Sequence, residues 1–308
     1  MAGEDGPETF LMSALAPAFP LELVDDRGRS ISLDHFAARI VSLSPNITEL
    51  VFAAGAGDKL VGVSRYSDYP ETAKSVPDVG DASNLDLERI IALKPDLVIA
   101  WVSGNARSNV EKLEKLGLTV FATEATRLED IPRLLRITGK FAGTSRQAEA
   151  AARVYEEELR QIRQSYSARR KVSVFQLIWH QPLITVNENH VISDIIRICG
   201  GVNVFGSVPS LTPVISPENL LAADPQAIIS SMPSEADDTL AQSLPRGLLH
   251  VSAISNGHIF FVPPDLIQRQ TIRLLRGAKM VCQQLERVRT SQENEASRNL
   301  SRAAPAGL

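Results

Sequence analysis

A chain that carries one local pattern twice, on either side of a single long amphipathic helix, has few ways to fold. The first copy is Asp86-Leu87-Glu88-Arg89-Ile90-Ile91-Ala92-Leu93-Lys94-Pro95-Asp96-Leu97-Val98-Ile99, and the second is Ser216-Pro217-Glu218-Asn219-Leu220-Leu221-Ala222-Ala223-Asp224-Pro225-Gln226-Ala227-Ile228-Ile229. Each reads as a cap residue, a glutamate in the first turn, an apolar helix stopped by proline, and an apolar strand. Glu88 and Glu218 therefore occupy equivalent places. An internal duplication of this kind implies two similar α/β lobes.

Between the copies, over 145–168, Ala148, Ala151, Ala152, Tyr155, Leu159, Ile162 and Tyr166 recur at steps of three and four, while Arg146, Glu149, Arg153, Glu156, Glu157, Arg160 and Arg163 fill other positions. That is one buried stripe and one wet face. Gly143 and then Thr144, with Gln147 three residues on, predict a capping box at the start. About 23 residues at 1.5 Å each span about 35 Å, enough to cross a small domain. The periodicity alone fits an ordinary packing helix equally well; the flanking duplication favours a spacer between lobes.

The remaining elements follow from alternation and turn residues. A hairpin is expected over 21–31, strands over 40–43, 60–63, 97–101 and 119–122, and helices from Pro45 to the Gly55-Ala56-Gly57 break and over 87–93, 109–116 and 128–141. The second half yields strands over 172–177, 227–230 and 258–262, an aromatic turn at Trp179-His180-Gln181-Pro182, and helices over 191–199 and 271–287, the former stopped by Gly200-Gly201. The expected organisation is a lead (1–20), an N-terminal α/β lobe (21–143), a connecting helix (144–168), a C-terminal α/β lobe (169–288) and a disordered tail (289–308).

At 308 residues and 44% hydrophobic content the chain can bury two modest cores, and a net charge of -4 offers no basic field to nucleic acid or to an anionic membrane. Neither is expected as a partner. No apolar run approaches membrane-spanning length. A short apolar patch over 10–15 precedes Ala16-Pro17-Ala18, loosely like a cleavage site, but Glu4, Asp5 and Glu8 stand where an export signal carries positive charge. Cys199 and Cys282 read as disulfide partners in an exported protein and as two buried thiols in a cytosolic one.

Catalytic motifs are missing: there is no G-x-S-x-G, P-loop or H-E-x-x-H, and Gly55, Gly57 and Gly62 fail the dinucleotide spacing. His35, His180, His190, His250 and His258 are scattered without a ligand spacing, so no metal site is expected. Ligands of α/β sheets bind at the carboxyl ends of strands, which directs Tyr66, Trp101 and Trp179 toward one cleft; the alternative is that they are edges of the core. A first-turn carboxylate stabilises a helix dipole by about 0.3–1 kcal/mol, which by itself accounts for Glu88 or Glu218. Their matched placement also suits two basic sockets on a two-fold symmetric partner.

These residues carry a family resemblance. Leu43-Ser44-Pro45-Asn46-Ile47-Thr48-Glu49-Leu50, Tyr66-Ser67-Asp68-Tyr69-Pro70, Leu87-Glu88-Arg89-Ile90 and Lys94-Pro95-Asp96-Leu97-Val98-Ile99-Ala100-Trp101, continued by Cys199-Gly200-Gly201, the Glu218 helix and Cys282, resemble the periplasmic cobalamin-binding proteins of ABC importers. The resemblance spans about 21–287. It implies the class III periplasmic binding protein fold: two Rossmann-like lobes joined by one backbone helix, without catalysis or a catalytic cofactor, monomeric and periplasmic. It further implies a rigid clamshell holding one corrinoid, with Glu88 and Glu218 meeting arginines on the importer's two membrane subunits and a Cys199–Cys282 disulfide. Tyr66 and Trp101 match ligand-contacting positions, Asp265 and Arg269 lie in a loop that matches another, and Trp179 and His180 join them from the aromatic turn. Where cobalamin binders place tryptophans this chain has Ala82, Thr212 and Leu266, forfeiting aromatic contact area. That leaves a modified or incomplete corrinoid, a ferric siderophore and haem as ligand classes. A two-lobed enzyme such as a sugar transferase is the rival from another class, and it would need cleft carboxylates or a nucleotide loop.

Overall fold

The computed structural model describes residues 19–232 and 246–303; the apolar patch over 10–15 and most of the lead lie outside them. β1 (Leu21–Val24) and β2 (Ser30–Leu33) form the expected antiparallel hairpin. β3 (Ile40–Ser42), α1 (Pro45–Ala53), β4 (Leu60–Val63), α2 (Leu87–Ala92), β5 (Leu97–Trp101), α3 (Arg107–Lys115) and β6 (Val120–Thr123) then build a parallel sheet in the order β4-β3-β5-β6. After α4 (Asp130–Ala142) and α5 (Ser145–Tyr166) comes the second lobe. It contains β7 (Val172–Leu177), β8 (Trp179–His180), β9 (Leu183–Ile184), α6 (Val191–Ile198), β10 (Gly201–Asn203), β11 (Val214–Ile215), α7 (Pro217–Ala223), β12 (Ala227–Ser230) and β13 (Ile259–Phe261). Its main sheet is again parallel, in the order β10-β7-β12-β13.

Numbered within each lobe, both sheets run 2-1-3-4, so the duplication seen in the sequence is a duplication of topology. The repeated motif supplies the third strand each time, α2 leading into β5 and α7 into β12. Its caps match: the Asp86 carboxylate accepts from the Arg89 amide at 2.9 Å, and the Ser216 hydroxyl from the Asn219 amide at 3.2 Å. The exits match too. Lys94 (φ 47°) and Asp224 (φ 39°) both turn left-handed immediately before Pro95 and Pro225, a conformation that costs a non-glycine residue on the order of 1 kcal/mol.

The connecting helix α5 buries Ala148, Ala152, Tyr155, Leu159 and Ile162 as the periodicity requires. The capping box expected at its start does not form. Thr144 takes φ -109° and ψ 28° without a side-chain cap bond, and its hydroxyl is buried without a partner. The reason is that α5 begins inside a tight reversal. Gly143, at φ 70°, ends α4, and the Thr144 amide closes that helix onto the Gly139 carbonyl at 2.8 Å. Helices α4 and α5 are thus a hairpin in which Arg136 binds Glu149 (2.7 Å) and Glu156 (2.6 Å).

The largest apolar cluster is shared by both lobes. Leu50, Ala54, Leu128, Ile131 and Leu135 of the first lobe are continuous through α5 with Val172, Val174, Ile192, Ile195, Leu274 and Val281 of the second. Close-packed interiors do not slide freely, so the lobes are set against one another rather than hinged on a strand. The Cys199–Cys282 disulfide forms, with Cα atoms 4.6 Å apart, and ties the end of α6 to the C-terminal helix. That helix runs from Leu274 to Ala303, well past residue 287. The tail expected to be disordered from 289 is helical as far as it is described. Its anchor is Arg289, only 4% exposed, whose guanidinium donates to the Arg170 carbonyl at 2.7 Å and the Cys199 carbonyl at 2.8 Å.

Candidate ligand cleft between the lobes

In a 2-1-3-4 parallel sheet the connections leave in opposite directions between strands 1 and 3, opening a crevice at their carboxyl ends. In the first lobe this point lies between β3 and β5. Asn105 spans it, accepting from the Trp101 amide at 2.7 Å and donating to the Leu43 carbonyl at 2.9 Å. In the second lobe it lies between β7 and β12, where buried Gln176 and Ser231 face each other.

Tyr66 follows the edge strand β4. Hydroxyls behind it fix the loop: Ser42 to Thr48 at 2.9 Å and Thr48 to Ser67 at 3.0 Å, while the Arg65 amide reaches the Gly80 carbonyl at 2.7 Å. Clamped on both sides, Tyr66 adopts φ 67° and stands 71% exposed. Trp179 is 49% exposed on the β8–β9 hairpin, its indole N–H bonded to the Gln181 carbonyl at 2.9 Å, beside the His180 ring at 5.6 Å. His180 Nδ1 lies 3.3 Å from Met232 Sδ. Trp101 is placed differently. Its ring packs partly on the first-lobe core, and its N–H is bound to Glu124 at 3.0 Å. It also borders a hollow of about 320 Å³ in the first lobe, lined further by Arg27, Arg29, Arg107 and Glu111. Tyr66 after β4, Trp101 at the end of β5 and Trp179 on the β8–β9 hairpin thus follow three different strands.

Asp265 lies in the first turn of the short helix Pro264–Ile267 of the second lobe and Arg269 just past its end, and they are bonded to each other at 3.0 Å. Arg269 also donates to Asp68 at 2.6 Å, to Glu49 at 3.2 Å and to the Tyr66 carbonyl at 3.4 Å, all in the first lobe. Behind it, Arg273 engages both oxygens of Glu49, one at 2.8 Å, and lies 4.2 Å over the Tyr69 ring. Asn46 donates to Gln270 at 3.1 Å. Burial pushes the Asp68 carboxyl up, but the hydrogen bond and charge of Arg269 outweigh it and hold that carboxyl below its usual range. The same contacts raise the Arg269 guanidinium against the opposing effect of burial.

Glu49, Asp68, Gln270 and Arg273 escape the sequence reading, although a signal existed. Glu49 interrupts the apolar helix around Ile47, Leu50 and Val51, and Arg273 stands between Ile272 and the Leu274-Leu275 start of the C-terminal helix; a charge set among apolar residues asks for a distant partner. Of the positions that replace family tryptophans, Leu266 packs partly against the shared core, while Ala82 is half-buried and Thr212 exposed in loops. Glu88 and Glu218 are both exposed in the first turns of α2 and α7. The Glu218 carboxyl is held below its usual value by its own backbone amide and the Ser216 side chain. Among the described residues, no helix is long and apolar enough to cross a membrane, and no His, Cys, Asp and Glu cluster could hold a metal.

The sequence profile of the periplasmic binding protein family matches residues 40–266. The vitamin B12-binding protein of Vibrio parahaemolyticus is 35% identical over 251 residues, 82% of this chain and 90% of that one. The protein of the same name from Yersinia pestis is 34% identical over 255 residues, covering 82% and 88%. Among solved structures, the periplasmic vitamin B12-binding protein of Vibrio cholerae superposes with a TM-score of 0.75 at 32% identity, covering 82% of this chain and 98% of that one. A periplasmic heme-binding protein of Roseiflexus sp. RS-1, at 22% identity and a TM-score of 0.72 with 82% and 99% covered, shares the fold. With two lobes of one topology hung on a single helix, and a match running through both, the chain belongs to the periplasmic binding protein family, whose members are solute receptors rather than enzymes.

Proposed function

We propose that the protein captures a corrinoid in the interlobe cleft and delivers it to an ABC importer, as a monomer exported to the periplasm. The observation that carries this reading is a pair of large aromatics, Tyr66 and Trp179, held in water at the carboxyl ends of the two facing sheets. Leaving such rings exposed forfeits burial free energy of about 1.5–3 kcal/mol each, which a bulky flat ligand recovers on entry. The names of the relatives at 34–35% identity point to the same ligand.

Charge favours a corrinoid over haem or a siderophore. Arg65 is paired with Asp78 and Asp81, and Arg269 with Glu49, Asp68 and Asp265, so the cations beside Tyr66 are outnumbered by their own carboxylates. A ligand whose periphery is neutral amide meets no penalty there. Propionates or catecholates would need a free cation. Trp101, half-buried and tied to Glu124, supports one wall, with His180 and Asp265 at the opposite rim.

The test is calorimetric titration of the oxidised protein with cyanocobalamin and then cobinamide. One-to-one binding is expected, weakened about tenfold or more by Tyr66→Ala or Trp179→Ala, as befits loss of an aromatic contact surface. Absence of heat with both corrinoids would refute the ligand. Docking is tested separately: charge reversal of both Glu88 and Glu218 should abolish stimulation of the importer's ATPase while leaving ligand affinity intact, and unchanged stimulation would remove that role.

A further inference from the structure

We propose that Arg269 is a positioning residue rather than a ligand contact: it staples the Tyr66 loop of the first lobe to the 265–273 segment of the second, presetting the lobe separation and the height of Tyr66 before any ligand arrives. Every nitrogen of its guanidinium is committed within the protein, Nε to Asp265, Nη1 to Asp68 and Glu49, and Nη2 to the Tyr66 carbonyl. An arginine so engaged has little left to offer a ligand. Its partners are divided between the lobes, and it bonds to the backbone of the most exposed aromatic in the cleft.

The staple is built on a buried base. Glu49, 3% exposed, is shared by Arg269 and Arg273, and Arg273, itself 9% exposed, is covered by the Tyr69 ring. A buried carboxylate held by two guanidiniums has one geometry in which its lone pairs are satisfied. That geometry requires α1 and the 269–273 turn to stay in register across more than 200 residues of sequence. The Asn46–Gln270 bond repeats the link one turn earlier on α1. Tyr66, held left-handed between Arg65 and Ser67, is the point where this register meets the cleft.

The proposal rests on the corrinoid reading only for its affinity measurement; its other readout needs no ligand. Both native cysteines lie in the disulfide, so cysteines introduced at exposed Lys115 and Leu221 are the free thiols available for spin labels, one on each lobe. Dipolar distance distributions are then recorded on the empty full-length protein. Arg269→Gln should broaden or shift the distribution and weaken cyanocobalamin binding at least tenfold. Asp68→Asn, on the exposed side of the network, should do both in the same direction and add little to Arg269→Gln, and Arg269→Lys should not rescue either. An unchanged distance distribution overturns the proposal. If affinity falls while the distances hold, Arg269 is a ligand contact. If Arg269→Gln does not fold, Asp68→Asn alone decides, by the same criteria. If the wild type binds no corrinoid, the distances still decide the staple, and the ligand reading fails by itself.

Discussion

Replacing Gly277 by alanine should destabilise this protein, although the same change in an open helix stabilises it. Gly277 lies in the first turns of the C-terminal helix, where that helix crosses the short helix Pro264–Ile267. A Cβ there would sit 2.1 Å from the Leu266 carbonyl oxygen and 2.9 Å from its carbon. Carbon and oxygen approach no closer than about 3.3 Å even in C–H···O contacts, so the two segments would have to part by over about 1 Å. The clash is with backbone, and no side chain can swing away. Alanine contributes about 0.5–1 kcal/mol of helix preference, while forced overpacking costs about 1–3 kcal/mol. With no side chain to relieve it, the overpacking falls at the upper end, about 2–3 kcal/mol, so the expected net loss is about 1–2.5 kcal/mol, read as a lower urea midpoint with an unchanged slope.

Leu266 lies between Asp265 and Arg269, so the displacement should also loosen the contacts of Arg269 with Asp68 and Glu49 and weaken ligand binding. Gly247→Ala, where nothing lies within 4 Å of the added carbon, is the control and should stay within about 0.5 kcal/mol of wild type. A Gly277→Ala variant as stable as wild type, or more so, would refute the crossing geometry on which this argument depends.

Removing the disulfide with Cys199→Ala and Cys282→Ala opens a loop with a sequence separation of 83, which in the chain-entropy account costs about 4.5 kcal/mol; urea unfolding of the oxidised protein against the variant measures it, and a loss below about 1 kcal/mol would show that the shared core already does the constraining. His190 caps α6 by accepting the Ile192 amide on Nδ1 at 3.1 Å, and burial depresses its pKa from 6.5 to about 4. The unfolded chain therefore takes up a proton below pH 6.5 that the folded protein refuses until about pH 4. Stability is full above that window and falls as pH drops through it, by at most about 3.4 kcal/mol. His190→Asn keeps an N-cap acceptor but does not titrate, so it should flatten that part of the pH–stability curve.

What the chain's local chemistry determined was considerable. Cap residues, prolines and the change of period between strand and helix act within a few positions, so the duplicated α2–β5 and α7–β12 units, the connecting helix and the aromatic turn were all legible. Family likeness then carried the disulfide, and it is the source of the proposed ligand cleft. The capping box at Thr144 failed because a stronger local demand, the left-handed exit of α4 at Gly143, took the same amide. The end of the C-terminal helix was misread because Arg289 draws its stability from Arg170 and Cys199, which no local pattern announces.

Tertiary structure alone decided the state of the cleft. In the fold Arg269 donates to Glu49 and Asp68, and Trp101 donates to Glu124, partners that no local pattern in the sequence names. Whether a charged or aromatic side chain is available to a ligand depends on who else is within about 3 Å of it, and partners separated by 200 residues meet only after both lobes have packed on one core. Helices and strands are written in spacing; availability is a property of the assembled neighbourhood.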